Sequence, residues 1–207
     1  LIGDVPIIEI IIKQLEAYGF NDIIITLGYK SEIVQAVLKE KIWKANLTFF
    51  VESQPLGTLG SLCLLEDLQE NFLVINSDIL TVLNFARLMK DHVQADGLAT
   101  VGVIRKLETI ELGIVEVNEA SQVIDFREKP IYHFLATMGV HAFNRKVLDY
   151  LPLNKAFGLD ELIFTLLQEK QKINAFIFSG QWYDIGRASD YEQALFIFEK
   201  DPDIFLP

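Results

Sequence analysis

Apolar positions in the first half of the chain alternate between helical stripes and short unbroken runs. Pro6 opens a stripe on which Ile7, Ile8, Ile11 and Leu15 recur at helical spacing, and Gly19 stops it, so a helix is expected from Pro6 to about Tyr18. Asp22–Leu27, DIIITL, is a compact run rich in β-branched residues and predicts a buried strand. Ser31 stands where it would cap a helix from Glu32 to about Lys41, with an early acid suited to the helix dipole. Leu47–Val51 predicts the next strand, Ser61–Leu68 a helix, Phe72–Ile75 another buried strand and Phe85–Ala95 a helix. Alternation at this spacing predicts right-handed crossovers and a parallel sheet, an α/β Rossmann-like fold flanked by helices.

The second half has a different rhythm. Leu98–Ile104, Gly113–Val117, Val123–Phe126 and Met138–Phe143 read as short strands with Gly and polar connections. Helices are expected at Arg145–Tyr150 and Asp160–Lys170, and late strands at Ile173–Phe178 and Trp182–Asp184. Ser189 and Glu192 have capping-box spacing and would open a last helix, Asp190–Lys200. Without an internal repeat, low-complexity segment or linker, residues 1–207 read as one domain, with a half over 1–97 and a second half over 98–207.

Composition narrows the partners. A hydrophobic share of 51% suits strands buried on both faces, and no apolar run reaches membrane-spanning length. The net charge of −11 argues against nucleic acid and anionic membranes as partners. An anionic substrate would need a local cation, and a divalent metal held by carboxylates is the obvious device. The single cysteine, Cys63, sits among leucines and reads as a core thiol. With no signal-peptide pattern at the start, a cytoplasmic location is expected.

The stretch Glu52–Ser61, ESQPLGTLGS, joins a strand end to the next element, with Gly57 and Gly60 letting backbone approach a ligand. In an open α/β sheet ligands bind at the carboxyl ends of strands, so Gln54–Gly60 and Asp78 should lie close together. Asp78 and Asp184 both end strands, and each is a turn cap or one half of a hard oxygen site suited to Mg²⁺. Arg127-Glu128-Lys129-Pro130 is a solvated turn, or a Lys for a phosphate beside a Glu for hydroxyls. Gly113 and Gly139 serve turn geometry, or leave bare backbone against a sugar ring. His92, His133 and His141 show no metal spacing.

In order along the chain, Ile2-Gly3-Asp4-Val5-Pro6-Ile7-Ile8-Glu9, Gly19–Ile23, Gly28-Tyr29-Lys30, Pro55–Gly60, Asn76-Ser77-Asp78, Glu128-Lys129-Pro130, Met138-Gly139-Val140 and Trp182–Arg187 with Asp190-Tyr191-Glu192 resemble the sugar-1-phosphate nucleotidyltransferases, nearest the mannose-1-phosphate guanylyltransferase-like branch. The resemblance implies that a sugar-1-phosphate oxygen attacks the α-phosphorus of a nucleoside triphosphate and releases pyrophosphate. It implies that Gln54, Pro55, Gly57, Thr58 and Gly60 contact base and ribose. Asp78 and Asp184 would hold Mg²⁺. Lys129 would meet the sugar phosphate, and Gly113, Glu128 and Gly139 the sugar. A homo-oligomer is compatible with it.

The sequence also departs from the family pattern. The glycine-rich signature loop and the strand before it are not found, and residues upstream of Leu1 are expected to supply them. Ser77 stands for a usual Gly, and Glu111-Leu112 for Pro-Tyr. Leu59 replaces a small residue and is expected to crowd a purine. A non-catalytic relative that binds nucleotide-sugars and a related glycosyltransferase are the rival readings.

Overall fold

The computed structural model describes every residue except Pro207. Helix α1, Ile7–Ala17, buries Ile7, Ile10, Ile11, Ile12 and Leu15, a stripe wide enough to face two neighbours at once. Gly19, at φ +86°, turns the chain into strand β1, Asp22–Leu27. Helix α2, Ser31–Lys39, carries it to β2, Asn46–Val51. β1 and β2 pair in parallel, from Asp22 opposite Asn46 to Leu27 opposite Val51. The expected cap is displaced by one residue. Lys30 takes the N-cap in the left-handed region (φ 59°), and Ser31 is the buried first residue of α2.

The helix expected over Ser61–Leu68 is a single 3₁₀ turn, Leu62–Leu64. Four apolar residues in succession, Leu62 to Leu65, cannot share one helical stripe, and so short a helix gains little on its own. The chain becomes extended at Leu65, and Leu59, Leu62 and Leu68 all enter one core. β3, Asn71–Ile75, follows. β4, Ile79–Thr81, is too short to show a period in the sequence. Helix α3, Phe85–Ala95, is capped by Asn84, whose side chain accepts from the Arg87 amide.

The largest sheet has the order β3-β8-β5-β9, built with β5, Ala99–Thr109, β8, Ile131–Asn144, and β9, Ile173–Phe178. β8 runs antiparallel to both β3 and β5, and β9 parallel to β5. The mixed α/β architecture with flanking helices is present, but the parallel ladder expected through the first half stops at β1 and β2. β3 finds its partner in β8 instead. β5 and β8 are longer than their sequence patterns suggested, because their distal ends leave the core. There they carry a hairpin of β6, Ile114–Val117, and β7, Val123–Arg127. We refer to this projection as the arm. The segment Arg145–Tyr150 is 3₁₀, and helix α4 spans Leu159–Gln168. Strand β10, Trp182–Asp184, pairs antiparallel with β4, and helix α5 spans Ala188–Lys200. The capping box expected at Ser189 does not form. Arg187 is the N-cap, and the Ser189 hydroxyl turns to Asp190 (3.4 Å).

The core under β4 and β10 unites Ile10, Leu80, Phe85, Met138, Val140, Trp182 and Phe205. Each fully buried side chain of this size contributes about 1.5–3 kcal/mol of transfer free energy. Polar pins fix its register. The Gln14 amide Nε2 donates to the carbonyls of Thr81 (2.8 Å) and Phe205 (2.9 Å), tying α1 to β4 and to the tail beyond α5. Trp182 Nε1 donates to the Met138 carbonyl at 2.8 Å, tying β10 to β8.

Replacing Gln14 by Leu keeps the volume and removes the donor from two buried carbonyls. A loss of about 2 kcal/mol in urea unfolding is expected, and an unchanged midpoint would show that the pin is not structural. Burial lowers the His141 pKa from 6.5 to about 4, so the imidazole is neutral in the fold near neutral pH. The unfolded chain takes up the proton first. Stability from this group is therefore intact above pH 6.5 and declines as pH falls from 6.5 towards 4, by about 3 kcal/mol across the window. Denaturant titrations of His141→Leu are expected to flatten that part of the stability–pH curve.

Candidate active site

The loop after β2 is built by backbone contacts to residues 154–157. Leu59 N donates to the Phe157 carbonyl (3.0 Å), Phe157 N donates to the Leu56 carbonyl (2.9 Å), and the Gln54 side chain reaches the Asn154 carbonyl (3.5 Å). Gly57, at φ +70°, lies where a Cβ would be 3.0 Å from the Phe157 carbonyl oxygen. Gly60 is tighter, since a Cβ there would be 2.3 Å from the Leu56 oxygen and 2.5 Å from the Lys155 oxygen. The loop therefore divides its labour. Gly60 is buried and allows the close packing underneath, whereas Gln54, Pro55, Gly57 and Thr58 are exposed on top. Leu59 is fully buried in the core below, so the crowding expected of it at a base does not arise.

Asp78 follows β3, and the β4–β10 ladder places Ile79 opposite Asp184. Ile185 N donates to the Asp78 carbonyl at 2.9 Å and continues that pairing. Sequence left open whether the two aspartates meet, and the ladder brings them together. Asp184 Oδ1 and Asp78 Oδ2 lie 3.2 and 3.8 Å from the point that a Cβ on Gly186 would occupy. Asp184 Oδ1 also accepts from Gly186 N (3.0 Å). Asp190 on α5 joins them, because its Oδ2 accepts from the Asp184 amide (3.2 Å). Burial, and then the Asp190 charge, push the Tyr183 phenol up.

Gly57 and Thr58 line the same cavity as Asn76, Ser77 and Asp78. Gly139, at φ +68°, lies against Asn76. A Cβ there would be 3.0 Å from Asn76 Nδ2, and the Gly139 carbonyl accepts from Asn76 N (2.8 Å). Gly139 thus fixes the turn that carries Asp78. Gly113, Glu128 and Lys129 form a separate group on the arm. A Cβ on Gly113 would lie 2.8 Å from the Phe126 ring and 3.1 Å from Glu128 Oε2, and Lys129 Nζ pairs with Glu111 at 3.3 Å. Among the described residues no hydrogen bond or ion pair links this group to the aspartates.

Two participants escaped the sequence reading. Asp190 looked like a helix-opening residue, and only the fold shows it bracing the Asp184 backbone. Lys106 on β5 stacks its ammonium 4.7 Å from the Trp182 ring centroid, a cation–π contact beside the strand that carries Asp184. A lone lysine in a strand carries no sequence signal for that.

Among the described residues no group of three or more His, Cys, Asp or Glu side chains could hold a metal ion. The pair Asp78 and Asp184 remains, with hard oxygen donors on one side of one ladder. Such a pair fits a Mg²⁺-like cation that completes its shell with water and substrate phosphate oxygens.

A family model described as nucleotidyl transferase matches residues 1–200. The mannose-1-phosphate guanyltransferase of Yarrowia lipolytica is 28% identical over 220 residues, covering 99% of this chain and 60% of that protein. That of Schizosaccharomyces pombe is 31% identical over 200 residues, covering 91% of this chain and 54% of that protein. The chain therefore spans only 54–60% of the length of these curated relatives. In fold it is similar to HddC from Yersinia pseudotuberculosis complexed with GMP-PN, with a TM-score of 0.70 at 23% identity, over 95% of this chain and 88% of that one.

Gly60→Ala is expected to cost about 1–3 kcal/mol, because both flanking atoms are backbone and cannot yield. Gly28→Ala, with nothing within 4 Å of its Cβ position, is the control. Equal melting temperatures for the two variants would contradict the packing role of Gly60.

Proposed function

The chain belongs to the nucleotidyl transferase family, and on that premise we propose that it transfers a nucleotidyl group from a nucleoside triphosphate to a sugar-1-phosphate. The observation that carries the reading is the approach of Asp78 and Asp184 to one another beside Gly186, with Asp78 lining a cavity that the exposed Gly57 and Thr58 also line. Two relatives are mannose-1-phosphate guanyltransferases and a fold neighbour was solved with GMP-PN, which makes GTP and mannose-1-phosphate the first pair to assay.

A non-bridging oxygen of the sugar-1-phosphate forms a new bond to the α-phosphorus. The bond from that phosphorus to the bridging oxygen breaks, and its electron pair leaves with pyrophosphate. The attacking oxygen is already anionic at neutral pH, so no proton must be removed. The protein's work is alignment and charge stabilisation. Asp78 and Asp184 would hold the divalent cation, Mg²⁺, which when bound neutralises phosphate charge. Gln54, Pro55, Gly57 and Thr58 offer an exposed platform for base and ribose, set in place by Gly60. Lys129 exchanges Glu111 for the sugar phosphate. Glu128 accepts from sugar hydroxyls with Gly113 beside it, and Gly139 seats the turn that carries Asp78. Among the described residues no helix is long and apolar enough to cross a membrane. A cytoplasmic location is part of the proposal.

Pyrophosphate release tests this directly. Asp78→Asn and Asp184→Asn are each expected to lower kcat by about 100-fold or more, and to weaken Mn²⁺ binding read by paramagnetic line broadening. Lys129→Ala is expected to raise KM for the sugar-1-phosphate by about 10-fold, the worth of one charge-assisted contact. Full turnover in both aspartate variants, or no pyrophosphate from any common pairing of triphosphate and sugar-1-phosphate, would overturn the proposal.

A further inference from the structure

Strand β5 crosses the border between the body of the protein and the arm. Its residues 99–104 are buried, and 105–109 are exposed or half-buried. Ile104 and Lys106 lie on one face of the strand, opposite Ala136 and Phe134 of β8. Ile104 belongs to the main core and Ala136 packs against it, so the Lys106 stem leaves at the rim of that core. The ammonium then stands 4.7 Å from the centre of the Trp182 ring. The ring itself is fixed, because it is buried and its Nε1 donates to the Met138 carbonyl at 2.8 Å.

The usual partner of a surface lysine is a carboxylate. Glu108 stands two residues on and on the same face of β5, yet among the described residues Lys106 makes no ion pair. Arg127 and Lys129, cations of the arm, are both paired with acids. A ring face attracts an ammonium without using its N–H groups, so the three donors of Lys106 stay open to an anion. Trp182 and Asp184, two residues apart in β10, leave that strand on the same face about 7 Å from one another. The ammonium is thereby held on the side of β10 that presents the Asp184 carboxylate.

Position decides between the two anionic substrates. Asp78 lines the cavity of Gly57 and Thr58, whereas Asp184, Trp182 and Lys106 do not. Beyond Lys106, β5 runs on to Thr109 and towards Gly113, and β8 returns from Ile131, just after Lys129. Lys106 therefore stands at the root of the arm that bears Gly113, Glu128 and Lys129, and outside the cavity that the Gly57 loop shares with Asp78.

We propose that Lys106 binds the phosphate of the sugar-1-phosphate, as a fixed cationic contact on the body of the protein. The inference rests on the reaction proposed above and adds a residue to it. Lys129 rides on the arm and must leave Glu111 to meet the substrate. Lys106 has no acid to leave, and the Trp182 ring holds it in place before the substrate arrives.

Indole emission reports this contact without turnover. In a Trp43→Phe background Trp182 is the only tryptophan, and an anion that engages the ammonium on its face is expected to shift its emission. Titration with mannose-1-phosphate, with Mg²⁺ present, is expected to give a saturable change that mannose does not give. Lys106→Met keeps an apolar stem on the ring and is expected to lose the change. Lys106→Arg, which stacks and carries charge, is expected to keep it. In the pyrophosphate assay Lys106→Met is expected to raise KM for the sugar-1-phosphate by about 10-fold with KM for GTP unaltered, and Lys106→Arg to recover most of that loss. A lysine that serves packing alone would move both KM values or neither. No emission change with mannose-1-phosphate, an equal change in Lys106→Met, or a change with GTP in place of the sugar phosphate would overturn the inference. An emission change that depends on Lys106, in a protein that releases no pyrophosphate from any pairing, would sink the reaction and leave the contact standing. Turnover with an unaltered KM in Lys106→Met would sink the contact alone.

Discussion

The short ladder between β4 and β10 is the constraint on which the candidate site depends. β3 ends at Ile75 and β10 begins at Trp182, and nothing local draws these regions together. Pairing of Ile79–Thr81 with Trp182–Asp184, extended by Ile185 N on the Asp78 carbonyl, fixes both aspartates to one backbone frame. A ladder this short is not stable by itself. It is held from below by Leu80 and Trp182 in the main core, and by pins from three elements: Gln14 of α1 on Thr81, Met138 of β8 on Trp182, and Asp190 of α5 on the Asp184 amide. Packing energy spent far from the surface thus appears as alignment of two carboxylates at the surface.

That alignment has an electrostatic cost. Asp78, Asp184 and Asp190 gather acidic side chains at one end of the sheet in a chain whose net charge is −11. An anionic substrate adds to the repulsion. The nearest cationic device among the predicted site residues, Lys129, is engaged with Glu111 on the arm. A divalent cation held between Asp78 and Asp184, as proposed, would relieve that crowding of like charge.

How far the sequence revealed this follows the range of each interaction. α1, β1, α3 and β9 were legible because their signals are local: apolar stripes and β-branched runs. Asp78 and Asp184 were legible as strand-end carboxylates, but their meeting depends on a ladder across a hundred residues of chain, and β4 is too short to leave a period. The helix read over Ser61–Leu68 failed because tertiary packing of Leu59, Leu62 and Leu68 outweighs a weak local preference. The glycines were found but their duties were not. Both Gly60 and Gly139 looked like ligand-facing backbone, and the fold uses Gly60 to stack loop on loop and Gly139 to seat Asn76. Asp190 and Lys106 act through contacts that no spacing encodes.

The predicted site residues are divided between a buried frame and an arm, and the division follows from burial. Asp78, Asp184 and the loop at Gly57 rest on core elements. Gly113, Glu128 and Lys129 ride on β6, β7 and the distal ends of β5 and β8, where residues 115–129 are all exposed. Few apolar contacts hold the arm against the body, so its opening costs little compared with that of the core. Groups that stay fixed can set the angle of attack at phosphorus. A group that moves can admit one substrate and then close its charge over it. Under the proposed reaction Lys129 would take the second task. Its backbone stands at φ 41° in the turn into β8, and its side chain pairs with Glu111, an exposed acid that a phosphate, with more charge and more acceptor oxygens, would displace.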